Sequence, residues 1–254
     1  MTGGRSAGRA YTARAAVTAE RGADGRTRLP LLRSDGPLAL REAAGAVYLV
    51  GAAAGPLGGD DLEIDIEVRA GASLAVRSAA TSVALPGAGE SRLTVRADVA
   101  AGGRLDFAPE PAVAAAGCRH RSSARITLAE GAALRWYEEL VLGRHGEPPG
   151  RHASRFDVTF GGVPLLRHEL CLDDPAVYGS PAVLGGARAA GSVLLAGAGL
   201  PREPRTGDGV AVLPLAGPGV LITAVAADSA ALRRRLAGAE RDHCPESPLS
   251  PAGR

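Results

Sequence analysis

The side chains able to hold a metal ion or move a proton are few in this chain and widely spaced. Three cysteines (Cys118, Cys171, Cys244) and five histidines stand among 254 residues. Cys118-Arg119-His120 and His168-Glu169-Leu170-Cys171 each combine a thiol with an imidazole, but neither has a zinc-finger spacing. A lone Cys most often behaves as a small buried hydrophobe. His145 and His152 flank Gly146-Glu147-Pro148-Pro149-Gly150, which reads as a loop carrying solvated imidazoles. Asp61, Glu63, Asp65 and Glu67 form a row that would collect cations, although such rows are commonly the wet face of a half-exposed strand. The lead-in Gly58-Gly59-Asp60-Asp61-Leu62 superficially resembles a calcium-binding nonapeptide, but it occurs once, without tandem copies. Trp136-Tyr137-Glu138-Glu139-Leu140 places two acids side by side in an alternating segment, so one of them is expected to point inward.

Other chemistries are excluded by what is missing. All 29 basic residues are Arg, and the sequence has no Lys, which removes P-loop, Schiff-base and kinase-type phosphate lysines. Nucleotide chemistry, if involved, falls to a partner. The motif H-E-x-x-H is absent. One Trp and 3% aromatics argue against the aromatic platforms of a carbohydrate-active enzyme. A net charge of +2 offers no concentrated basic footprint for nucleic acid.

The elements that must position these residues are strands. Leu62, Ile64, Ile66 and Val68 alternate with four carboxylates, and 92–99, 125–128 and 155–160 alternate in the same way. Val193–Ala196 and Val220–Val225 read as more deeply buried strands. An internal repeat, apolar-x-x-Gly-x-x-Leu, ends at Leu74, Leu105 and Leu134, with Gly71, Gly102 and Gly131 at its turns. Repeated strand pairs of this kind predict an all-β, helical or solenoid-like stack of β-layers in one domain over 11–242. Residues 1–10 and 243–254 read as disordered tails. A short C-terminal α-helix is expected over Ala230–Arg241, capped by Asp228. Three distant cysteines and an N-terminus without an apolar core segment suggest a reducing, cytoplasmic setting. The uncharged run Val210–Ala227 contains Pro214, Gly217, Pro218 and Gly219, so it reads as two strands around a turn and not as a membrane span.

The order of several segments resembles the urease accessory proteins of the UreD (UreH) family. They are Gly25-Arg26-Thr27-x-Leu29, Ser34-Asp35-Gly36-Pro37-Leu38, Val47-Tyr48-Leu49-Val50, Gly55-x-x-Gly58-Gly59-Asp60-x-Leu62, Ser78-Ala79-Ala80-Thr81, the Gly-x-x-Leu repeats, and Glu138 followed by Gly143-Arg144 and Gly146-Glu147. The likeness spans about 17 to 172. Gly51 stands where the family carries Asn, Thr81-Ser82 replaces a Thr-Lys pair, and the family's later glutamate falls at His168 or Glu169.

The resemblance implies a non-enzymatic scaffold that binds the apo-urease structural subunits. With UreF and the GTPase UreG it would pass nickel to the urease active site, acting as a nickel conduit with no tightly bound cofactor, and no nucleic acid or membrane would be involved. It makes Asp60, Glu138 and Glu169 (or His168) candidates for a transient nickel path built on oxygen ligands. Asp60 has a second reading as a turn cap, and Arg144 as an organiser of its loop. Val220, Ile222, Leu232 and Leu236 are the candidates for the face that meets UreF. The competing reading is a β-sandwich or β-solenoid protein-binding module with no metal role.

Overall fold

The computed structural model describes residues 10–51 and 55–243. The stretches expected as tails fall almost wholly outside these residues, as does Cys244. The chain opens with two hairpins, β1 (Thr12–Arg21) with β2 (Thr27–Arg33), and β3 (Leu38–Ala43) with β4 (Ala46–Gly51). It then winds into coils. The first holds β5 (Asp61–Val68), β6 (Ser73–Ser78) and the short β7 (Ser82–Ala84). The second holds β8 (Ser91–Val99), β9 (Arg104–Ala108) and the short β10 (Ala112–Ala114), and the third holds β11 (Arg119–Leu128) and β12 (Ala133–Leu142). A last coil begins with β13 (Arg151–Phe160), against which β14 (Val163–Leu172) returns antiparallel.

One sheet runs β2-β1-β5-β8-β11-β13-β14, and its central strands are parallel and in register. The facing sheet carries β4, β6, β9 and β12 in parallel. Two successive strands of a coil thus belong to different sheets, which makes the solenoid expected from the repeat.

The repeat explains the stacking. Gly71, Gly102 and Gly131 take φ of 68°, 67° and 76°, a left-handed turn conformation suited to residues without Cβ. Gly102 N–H donates to Gly131 C=O, and the leucines after each turn pair directly as Leu74–Leu105 and Leu105–Leu134. Between the sheets, Ile64, Val95 and Ala124 stack in register on one side, while Phe107 and Trp136 lie face to face on the other with centroids 3.9 Å apart.

After a single-turn helix α1 (Pro175–Tyr178), the chain adds β15 (Ala189–Ala196), β16 (Arg205–Gly207), β17 (Val210–Pro214) and β18 (Gly219–Ala226) antiparallel to the far side of β12. Helix α2 (Ser229–His243) is the last described element, its N-terminus capped as expected by the Asp228 carboxylate, which accepts the Ala231 N–H at 2.7 Å. Among the described residues, no helix is long and apolar enough to cross a membrane.

Candidate functional site

In-register stacking turns any inward position into a ladder running from coil to coil. Along most of β5, β8, β11 and β13 that ladder is apolar. At the N-terminal ends of these strands it becomes polar: Asp60 lies beside Ser91, Ser91 pairs with His120, and His120 pairs with His152. All four are buried, with 3%, 0%, 6% and 4% of their surface exposed. Buried polar groups need partners, and the four differ in how far they find them.

Asp60 finds two. One carboxylate oxygen accepts the Tyr11 N–H at 2.8 Å and the other the Leu57 N–H at 2.8 Å. The turn-capping reading therefore describes its bonds, and neither oxygen is idle. Ser91 Oγ lies 2.9 Å from His120 Nδ1 and 3.4 Å from the Arg119 carbonyl. The hydroxyl reaches both the carbonyl and Nδ1, and which of Ser91 and His120 donates in the shorter contact depends on the imidazole tautomer. The His152 ring sits 5.5 Å from that of His120, tilted by 37°, and its buried Nδ1 has no hydrogen-bond partner. Burial pulls the pKa of His120 down to about 4 and that of His152 to about 3, the latter helped by repulsion from His120 and Arg121. Both rings are neutral at pH 7. The expectation that His152 is a solvated loop residue is corrected: Arg151 starts β13, and in-register pairing with β11 turns the ring inward.

Across from this row, β12 supplies Glu138. Trp136 Nε1–H donates to it at 2.9 Å, and the side chain faces the space between the sheets. Its pKa is raised because burial disfavours the anion, an effect the indole bond only partly opposes. Glu139, next along, points the other way and is buried under α2, where it accepts from the Tyr137 hydroxyl at 2.7 Å and from Arg233 Nε at 2.9 Å. Both acids of the broken alternation are thus enclosed, on opposite faces of one strand.

A cavity of about 580 Å³ lies between the sheets, bounded by Asp60, His120, His152 and Glu138 among mostly apolar side chains. Its lining also includes the exposed residues Thr81, Val183 and His168, so it extends from the interior to the surface. On the edge strand β14, His168 pairs with the buried Phe156 and shares its inward face. Glu169 is turned out to solvent, 3.7 Å from Arg155. Of the two alternatives for the family glutamate, only His168 borders the cavity.

Other candidates are structural. The carboxylate row of β5 lies outside, where Glu63 and Asp65 pair with Arg14 and Arg96. Arg144 grips Glu147 with Nε and a terminal N–H at 2.9 and 3.0 Å, and together with backbone N–H bonds this lowers the Glu147 pKa to about 2. Arg144 is thus the loop organiser expected. Among the described residues, no group of three or more His, Cys, Asp or Glu converges to hold a metal.

Val220, Ile222, Leu232 and Leu236 do not form an exposed apolar surface. They are 0%, 0%, 0% and 1% exposed because they pack against one another, fastening α2 to β18 and β15. A partner meeting this region would touch the outer side of the helix, where Arg233, Arg234 and Arg241 are exposed. The helix is held further by a buried ion pair: Arg135 on β12 donates twice to Glu240, at 2.6 and 2.9 Å, and once to Asp106 at 3.1 Å.

Comparison with known proteins bears on the whole chain. The family model described as UreD urease accessory protein matches residues 11–245. The urease accessory protein UreD of Frankia alni is 47% identical over 279 residues, covering 92% of this chain and 92% of its own length. The namesake from a Parafrankia species is 48% identical, covering 88% and 86%, and that of Streptomyces avermitilis 46%, covering 84% and 90%.

Proposed function

This chain belongs to the UreD family of urease accessory proteins, which is non-catalytic, and from that premise we propose that it is a cytoplasmic scaffold and nickel conduit for urease maturation. In this reading it binds the apo-urease subunits. UreF and the GTPase UreG complete the assembly, and UreG supplies the nucleotide chemistry for which this lysine-free chain has no residue. The observation that carries the reading is the cavity between the sheets, which connects an exposed histidine and threonine with a buried carboxylate.

Nickel is cargo here, so the path must hold it loosely. A hydrated divalent cation entering a low-dielectric channel loses solvation, and fixed oxygens and nitrogens along the wall offset part of that loss. Glu138 is the candidate for the interior, with His168 at the rim. Asp60 borders the path and shapes it by holding Tyr11 and Leu57, since both of its oxygens are already used. A site with many soft ligands would release nickel slowly; a cavity without a converged set of three ligands suits transit better.

The test blocks the path without touching its mouth. Ser154 lines the cavity from β13, and Ser154→Trp fills space there. Co-expressed with urease and the other accessory proteins, this variant is expected to assemble yet yield urease with substoichiometric nickel by atomic absorption. Glu138→Gln should lower nickel content less. Full nickel content from an intact Ser154→Trp complex would overturn the conduit reading and favour a scaffold with no metal role.

A further inference from the structure

We infer that His120 and His152 form a two-imidazole binding station for a borderline divalent metal ion inside the cavity, with Ser91 as its positioning residue. For its use in nickel transfer the inference rests on the conduit reading; the station itself stands on geometry alone.

The two rings occupy paired positions on adjacent parallel strands, and their centroids are 5.5 Å apart. A ring nitrogen lies about 1.2 Å from its centroid and a metal–imidazole bond is about 2.1 Å, so two rings sharing one ion have centroids within about 6.5 Å of each other. The observed spacing fits that limit with a bent N–metal–N angle. A metal-ligating imidazole commonly donates its second ring N–H to an outer partner, which fixes its orientation. Ser91 Oγ, 2.9 Å from His120 Nδ1, is placed to accept such a bond when Nε2 takes the ion. On His152, Nδ1 is buried and unpartnered, a cost that a folded chain seldom keeps without a use.

Two imidazoles suit nickel, copper and zinc better than magnesium or manganese. With only two protein ligands, the remaining positions stay open to water, so the ion is held weakly enough to move on. The station thus adds two buried nitrogen ligands to a path otherwise marked by Glu138 inside and His168 at the rim.

The experiment uses the full-length chain and Ni²⁺ alone. Equilibrium dialysis should give one ion per chain, and nickel X-ray absorption should show the outer-shell scattering of two imidazoles. His120→Phe and His152→Phe preserve bulk in an apolar setting; each should weaken binding more than tenfold and remove one imidazole from the spectrum. Ser91→Ala should weaken it about tenfold while leaving both imidazoles in the spectrum, the behaviour of an outer-shell partner. Mn²⁺ should bind far less well than Ni²⁺. His120→Gln and His152→Gln repeat the test with a polar side chain should Phe impair folding.

Absence of Ni²⁺ binding by the wild-type chain would overturn the station, as would unchanged affinity in the histidine variants. Loss of binding in those variants, with urease still fully loaded by their complexes, would confirm the station but overturn its use in nickel transfer, leaving the conduit reading to the Ser154→Trp result. Unchanged binding alongside a nickel deficit in Ser154→Trp complexes would do the reverse.

Discussion

Replacing Glu240 should loosen the last helix without disturbing the coils. Four charges run in a line from the solenoid to the helix: Arg77, Asp106, Arg135 and Glu240. They sum to zero, and the Arg135–Glu240 pair at the helix end is well enclosed, with side-chain exposures of 11% and 3%. Removing one partner of a buried pair leaves an uncompensated charge and costs about 3–5 kcal/mol, whereas exchanging both for apolar residues of similar volume is often neutral. Asp106 still faces Arg135 in Glu240→Ala, so the low end applies, about 3 kcal/mol. In a chain of this size that corresponds to a fall in Tm of about 6–12 °C. Arg135→Met combined with Glu240→Leu should recover most of the loss. Urea and thermal unfolding of wild type, Arg135→Met, Glu240→Leu and the double variant give the coupling energy directly. Hydrogen exchange should show α2 amides opening first in Glu240→Ala. A cost below about 1 kcal/mol for Glu240→Ala, or a double variant less stable than either single one, would refute the argument.

Asp60→Asn should lower stability by about 1–3 kcal/mol in chemical unfolding, because one of two accepting oxygens becomes an NH₂ facing a backbone N–H. Asn is therefore no neutral stand-in for the turn cap, and nickel transfer by this variant has to be read beside its stability. Acidification should weaken the fold. His120 and His152 have native pKa values of about 4 and 3, below the ordinary 6.5, so unfolding takes up protons and stability falls as pH drops below about 6.5. Their combined loss by pH 5 is about 4 kcal/mol, and urea midpoints at pH 7 and 5 should show it, with a flatter profile in the His120→Phe/His152→Phe chain. Gly58→Ala should be poorly tolerated, at a cost of about 3 kcal/mol or more in the same assay. Its Cβ would lie 2.5 Å from Gly87 N and 2.6 Å from Gly89 O, backbone atoms that cannot step aside.

The strands, the repeat and the capped helix were legible because each is written locally: period-two alternation, a turn glycine, an Asp before an Ala-rich run. The polar row was harder to see because its members differ in type and touch only after the coils stack. A signal was nonetheless present. Asp60, Ser91 and His120 each precede the repeat glycine of their coil by 11 residues, so aligning the repeats on Gly71, Gly102 and Gly131 would have put them in one column. His152 escaped because its coil ends differently, at Gly161 and Gly162 with an antiparallel return. Glu138 was legible from broken alternation, but the enclosure of Glu139 on the opposite face was not, since it depends on a helix about a hundred residues downstream. The same helix carries Leu232 and Leu236, which β15 and β18 bury and whose apolar character reads identically whether it meets this chain or another.

The polar row is also a ruler. Adjacent parallel strands lie about 4.8 Å apart, so the four members from Asp60 to His152 mark out three equal steps, about 14 Å in all. Distance along the axis can change only in whole coils, each set by the hydrogen-bonded spacing and not by side-chain size. A chain with one coil duplicated would carry the same end groups one step further apart, while point substitutions could alter what stands on a rung but not where the rung is.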